Sequence, residues 1–319
     1  MTQIKAEVSV VIPTYNRAAL LRSTVESVLG QDTETTFEVV VIDNNSSDDT
    51  KGVVQSIIEK HPGKVRYIVE RQQGNAHARN RGVKEARGDI IAFVDDDVTV
   101  ESNWLSVLKR VLDSRSELSF VGGRVLPEWK GAPPSWLTSD HWAPLALLDY
   151  GAEEIPISGQ NPRGLLTANI AFRRSVFEDV GIFLPDLQRV KNMIGSMEDH
   201  EFLLRVCRAG KQGIYTPEMI AWTHIDVERL TKAYHRRWHT GHGHFYAVLA
   251  DPHWERSKFR LAGVPAHLFK ESATNALVWL SKIVRGNIDA AFVNECRLRF
   301  FGGFLRQRRR QASGSTNPS

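Results

Sequence analysis

Cysteine is nearly absent: Cys207 and Cys296 are the only two in 319 residues, too few for a disulfide framework. No uncharged apolar run approaches the roughly 18 residues that a bilayer span requires. The nearest is the short segment around Ala276 to Leu280. The opening residues lack the charged stretch and apolar core of a secretory leader. These absences point to a reducing, cytoplasmic setting for a chain that does not cross a membrane. An aromatic-basic groove and known nucleic-acid motifs are also missing, so no nucleic acid is expected as a partner. No internal repeat is visible. What the chain has is 42% hydrophobic residues, enough to bury one large core or two modest ones.

Charge is unevenly placed. Residues 228 to 310 carry 16 Lys/Arg against 6 Asp/Glu, a net of +10, while the whole chain is +4, so residues 1 to 227 carry −6. An acidic front half and a basic back half suggest a metal-using part followed by a segment that meets an anionic surface.

Strand and helix signals alternate from the start. Val8 to Ile12 is an apolar run ending at Pro13, followed by Leu20, Leu21, Thr24, Val25, Val28 and Leu29 at helical spacing up to Gly30. Val39 to Ile42 ends at Asp43, and a polar turn leads into a helix through Ile58. Val65 to Val69, a helix over Ala76 to Ala86, and Ile90 to Val94 continue the pattern. Such alternation predicts βαβ crossovers and an α/β fold with a mostly parallel, Rossmann-like sheet flanked by helices. Ligand chemistry then belongs at the carboxyl edge, where Pro13, Asp43 and Asp95 would gather.

The strand Ile90 to Val94 runs straight into Asp95-Asp96-Asp97. Two like charges about 4 Å apart cost roughly 4 kcal/mol at an effective dielectric of about 20. Three adjacent carboxylates at a buried strand's end therefore point to a cation among them. Solvated loops and helix caps also collect Asp, so the triplet alone does not decide.

Further motifs add to it. Val10-Val11-Ile12-Pro13-Thr14-Tyr15-Asn16-Arg17, Val41-Ile42-Asp43-Asn44-Asn45-Ser46-Ser47-Asp48-Asp49-Thr50 and Asn75-Ala76-His77-Ala78-Arg79-Asn80-Arg81-Gly82 precede the triplet. Ala168-Asn169-Ile170-Ala171-Phe172-Arg173-Arg174 and Glu198-Asp199 follow it. In this order and spacing, residues 6 to 226 resemble the family-2 glycosyltransferases of GT-A fold. The resemblance implies transfer of a sugar from a nucleoside diphosphate, UDP before others, to a hydroxyl of a saccharide or lipid-linked acceptor, with inversion. Polysaccharide or glycolipid assembly would be the setting.

It also implies roles. Pro13, Thr14 and Tyr15 would wrap the base, with Arg17 and Asn75 beside the nucleotide, and Asp43 would accept a hydrogen bond from the base. An acceptor-only carboxylate suits a uracil N–H, although Asp43 also reads as a turn or cap residue. Arg79 would touch the base or diphosphate, or be a solvated helix arginine. Asp95 would contact the ribose or its neighbours, Asp96 would lie beside the nucleotide or point away, and Asp97, with Asp95 and His224, would hold Mn²⁺ or Mg²⁺. His224 is equally readable as structural. Asp199 would be the general base, with Glu198 beside it. Ser196 followed by Asp199 also fits a capping box, and the two readings are compatible.

These motifs set the expected domains: residues 1–226 catalytic, with a Trp/Pro-rich insertion at about 127–163, residues 227–310 basic, helical and facing acceptor or membrane, and 311–319 disordered. The insertion has the composition of a sugar-stacking lid, or of ordinary core filling. His235, His239, His242 and His244 tempt a zinc reading, but no Cys lies near them and Arg236 and Arg237 interrupt the group, so a mobile acceptor-side segment is expected instead. Phe292, Val293, Cys296, Phe300 and Phe304 share one helical face, and Arg306, Arg308, Arg309 and Arg310 follow. Together they predict attachment to an anionic membrane, against a solvated tail as the plainer reading. Two rivals to a transferase remain open: a nucleotidyltransferase, which should show a Gly-rich phosphate loop where this chain has Pro13-Thr14-Tyr15-Asn16, and a non-catalytic nucleotide-sugar-binding adaptor.

Overall fold

The computed structural model describes residues 6–187, 197–249, 254–261 and 263–313. Ser196 and the tail from 314 lie outside the described residues, and with them the capping box and most of the expected disordered end. The chain forms two compact units. The first holds the described residues up to Glu128, Ala146 to Leu187 and Glu198 to His224; the second holds Trp129–Leu145, Met197 and the described residues from Ile225 onward.

In the first unit, strands β1 (Val8–Thr14), β2 (Phe37–Asp43), β3 (Val65–Val69) and β4 (Ile90–Phe93) pair in parallel, with helices α1 (Ala18–Leu29), α2 (Thr50–Lys60) and α3 (Asn75–Glu85) as crossovers. β1 is buried at all seven positions, as a parallel strand covered on both faces must be. The chain continues through β5 (Val98–Val100), α4 (Trp104–Ser114), β6 (Leu118–Glu128), β7 (Ile155–Ile157), β8 (Ile170–Arg173), α5 (Ser175–Val180), α6 (Glu198–Arg208) and β9 (Gln212–His224). Among the described residues these strands make a nine-stranded sheet in the order β3-β2-β1-β4-β8-β6-β9-β5, with β7 paired to β9. The expected α/β class stands. The departures from parallel come at β8, which is antiparallel to both β4 and β6, and at β5 and β7, each antiparallel to β9.

One glycine sets how closely α3 lies on the sheet. A Cβ at Gly82 would sit 2.2 Å from Val11 Cγ1, so any larger residue would push α3, and Arg79 with it, off β1.

The second unit contains α7 (Lys232–Leu249), the short hairpin β10 (Arg260–Leu261) and β11 (Val264–Pro265), α8 (Ala266–Val284) and α9 (Ile288–Ala312). α7 and α9 pack closely because glycines face backbone on both sides: a Cβ at Gly243 would lie 2.0 Å from the Phe300 carbonyl oxygen, and one at Gly303 2.0 Å from that of Thr240.

This packing revises three expectations. The α9 face of Phe292, Cys296 and Phe304 is buried within the unit, so it is spent on helix packing and is not open to a membrane. His235, expected on a mobile segment, is fully buried, with the rings of Trp136 at 4.9 Å and Phe292 at 6.3 Å. Burial pushes its imidazole down to about 4 and that of His239 to about 3, because a charged ring would be stranded among apolar side chains. Trp136, expected in a lid or in core filling of the catalytic domain, is core filling of the second unit, where it packs with His141, His235 and Phe292.

Candidate active site

The carboxyl ends of β1, β2 and β4 bring three loops together. β1 and β2 are in register, with Thr14 opposite Asp43. The loop after β1 is tied to the loop after β2 through Asn16, whose backbone N–H donates to Ser46 Oγ at 2.9 Å and whose Oδ1 accepts from the Ser47 N–H at 2.7 Å. Asn16 takes a positive φ of 52°, a conformation Asn tolerates better than most residues. Asp48 Oδ2 accepts from the Ala18 N–H at 3.0 Å, at the start of α1.

Asp43 is buried at this edge. Its Oδ1 accepts from the Ser46 N–H at 2.9 Å, and its Oδ2 accepts from the Tyr67 hydroxyl. Burial and the Asp43 charge push the Tyr67 hydroxyl well above its ordinary range, so it stays a proton donor to the carboxylate. Asn44, next in the chain, donates to the carbonyls of Glu70 (3.1 Å) and Gln72 (2.7 Å) and accepts from the Gly74 N–H (2.7 Å). It fixes the chain entering α3.

Arg79, on α3, is 3% exposed and bridges two carboxylates: Nη1 donates to Glu198 Oε1 at 2.9 Å and Nη2 to Asp95 Oδ1 at 3.1 Å. With its amide turned, Asn75 accepts from the same guanidinium at 3.0 and 3.1 Å. Desolvation opposes the Arg79 charge, but Asp95 and Glu198 outweigh it and hold the guanidinium above its usual range. Glu198 is 1% exposed at the first turn of α6. Arg79 is therefore neither a solvated helix residue nor a side chain on open surface, and Glu198 faces inward. Asp199, beside it, is half-buried, and its Oδ1 accepts from the His200 N–H at 2.8 Å.

The triplet splits three ways. Asp95 turns to Arg79. Asp96 Oδ2 meets the Tyr15 N–H at 3.4 Å, and its carbonyl accepts from Thr24 Oγ1 at 3.0 Å. Burial, together with the charge of Asp97, pushes the Asp96 carboxyl up to about 7. Asp97 Oδ2 lies 3.6 Å from Arg17 Nη1, and its carbonyl accepts from the His224 N–H at 2.9 Å.

The expected three-ligand set of Asp95, Asp97 and His224 does not assemble. Among the described residues no three metal-ligating side chains converge. The physical reason is that Arg79 engages Asp95, and His224 meets Asp97 through backbone. The donor chemistry nonetheless fits a divalent ion shared with a ligand, since Mg²⁺ is usually held by one or two carboxylates together with phosphate oxygens. Asp97, with His224 beside it, is such a partial set.

A model of glycosyl transferase family 2 matches residues 9–181, over half of the chain. The chain belongs to glycosyl transferase family 2. Among curated proteins, a glucosyl-dolichyl phosphate glucuronosyltransferase of Haloferax volcanii is 30% identical over 177 residues, 55% of this chain and 55% of that protein. The chain spans about half the length of the curated relatives it matches. Among solved structures, the mannosyltransferase PcManGT of Pyrobaculum calidifontis, in complex with GDP-Man and Mn²⁺, superposes with a TM-score of 0.57 at 19% identity, over 91% of this chain and 85% of that one. TarS 1-349 of S. aureus, in complex with UDP, gives 0.55 at 17% identity, over 97% and 92%. These likenesses show the GT-A fold.

Sequence reasoning missed Tyr67 and Asn44 as parts of this edge. Asn44 was findable as an Asx residue just past a strand; Tyr67, in mid-strand, carried no signal. Asn169, prominent in the family-like motif, has its side chain consumed inside the sheet. It accepts from Trp104 Nε1 at 2.7 Å and donates to the carbonyls of Arg124 (2.6 Å) and Met219 (2.9 Å).

Proposed function

We propose that this chain transfers a sugar from a nucleoside diphosphate, UDP first among candidates, to a hydroxyl of a lipid-linked acceptor, with inversion and with a divalent ion. One observation carries the reading: the loops that bear Asp43 and the Asp95–Asp97 triplet, and the first turn of α6 where Glu198 stands beside Asp199, are joined by hydrogen bonds through the loop after β1 and through Arg79. Arg79 reaches Glu198 across 119 positions of sequence. UDP in TarS and GDP-Man with Mn²⁺ in PcManGT support the donor class. The dolichyl phosphate of the Haloferax relative's name supports the lipid-linked acceptor.

In this reading Asp43, aimed by Tyr67 and the Ser46 N–H, accepts from the base N–H, while Pro13, Thr14 and the exposed Tyr15 flank it. Asp95 and Asp96 face the ribose and its neighbours. Asp97, with His224, would hold Mn²⁺ or Mg²⁺, which when bound neutralises diphosphate charge. Arg17, at the start of α1, adds a cation beside it. Asp199 takes the acceptor's proton, and Arg79 with Glu198 positions the start of α6 that carries it. Peripheral attachment to an anionic membrane belongs to the same proposal.

The test is release of free nucleotide from UDP-, GDP- and dTDP-sugars, with Mn²⁺ and with chelator. UDP release that chelator abolishes is expected. No release from any donor would overturn the reading.

A further inference from the structure

We infer that the outward face of α8 is the surface by which the second unit docks on an anionic lipid bilayer. The inference rests on the lipid-linked acceptor proposed above. α8 has one side turned inward: Leu268 is buried, Asn275 accepts from Asn294 Nδ2 at 3.0 Å, and Lys282 Nζ donates to Asn294 Oδ1 and the Ala290 carbonyl, each at 2.9 Å. Ala273, Leu277, Leu280 and Val284 fall within about 60° of one another on the opposite side, at about 100° per residue. Leu277 is 70% exposed, Leu280 53% and Val284 78%, and Ile288, just beyond, is 62% exposed. Single exposed leucines are ordinary on a protein surface, but a continuous stripe of them along a helix is not.

Charge selects the partner. The run from Ser272 to Asn287 contains no acidic residue and carries Lys282 and Arg285. The acids at its two ends are engaged within the unit, Glu271 by Arg256 and Asp289 by Lys232 at 2.7 Å. Lys270 and Arg285 are exposed and have no carboxylate partner among the described residues. Arg306, Arg309 and Arg310 add exposed cations on α9. A second copy of this chain meeting the stripe would bring like charges together. An anionic leaflet supplies the missing counter-charge and accepts the apolar stripe, as for a helix lying in the plane of the interface.

The test is co-sedimentation of the 319-residue chain with phosphatidylcholine vesicles, with and without about one-third phosphatidylglycerol. Binding to the anionic vesicles alone, released by high salt, is expected. The double variant Leu277→Asp/Val284→Asp should weaken it by at least tenfold, with unchanged circular dichroism because both positions are exposed. Equal vesicle binding by the variant, or no binding by the parent chain, overturns the assignment. So does a dimer, seen by sedimentation velocity, that the variant dissociates while vesicle binding persists. Turnover on a water-soluble acceptor is measured in parallel. If turnover occurs without vesicle binding, the docking surface fails while the enzymatic reading survives.

Discussion

Replacing Asp199 by asparagine is expected to lower turnover by roughly 10²–10⁴-fold, the usual contribution of a positioned general base, while leaving the protein folded. The change keeps the shape of a half-buried side chain at the first turn of α6 and removes its ability to take a proton. Its Oδ1 accepts from the His200 N–H, which an amide oxygen can still do. Affinity for UDP should therefore persist as the rate falls, separating chemistry from donor binding. Steady-state kinetics beside nucleotide titration checks this. Wild-type turnover by the variant would remove Asp199 from the chemistry.

The second large effect concerns stability. Arg79→Leu leaves the buried Glu198 carboxylate without its guanidinium, and breaking a buried pair from one side typically costs about 3–5 kcal/mol. Urea unfolding should show that loss. Adding Glu198→Leu should recover part of it, because an apolar replacement of both partners is often close to neutral. Arg79→Lys should rescue poorly, since one ammonium replaces a planar fork that spans Glu198 and Asp95. A loss below about 1 kcal/mol for Arg79→Leu would mean that the bridge is solvated and does not organise the site.

The front half of the fold is legible because β1, β2 and β4 are buried on both faces and therefore read as apolar runs. Pro13 and Thr14 extend β1 beyond the expected end at Ile12, since the partner strand's register, invisible in the sequence, carries them along. The polar residues at the strand ends stand out in the same way. Their partners do not. Nothing local to Arg79 announces Glu198, and nothing local to Asp43 announces Tyr67, because both contacts depend on how distant elements close. The basic helical region shows the same limit differently. Amphipathic spacing correctly marks Phe292, Cys296 and Phe304 as a face that must be covered, yet α7 and the rest of that unit provide the cover. The stripe left open lies on α8, where polar Asn275 and Lys282 are among the side chains turned inward, so polarity along the helix does not announce which face is covered.

The central claim is that the acidic edge after β4 binds a nucleoside diphosphate together with a divalent ion. Calorimetric titration of UDP into the protein tests it most directly, with Mn²⁺, with chelator, and with Asp97→Asn. The account predicts saturable binding with Mn²⁺ that chelator or the substitution weakens roughly tenfold or more, the equivalent of about 1.4 kcal/mol. No binding under any condition, or binding indifferent to both metal and Asp97, would contradict it.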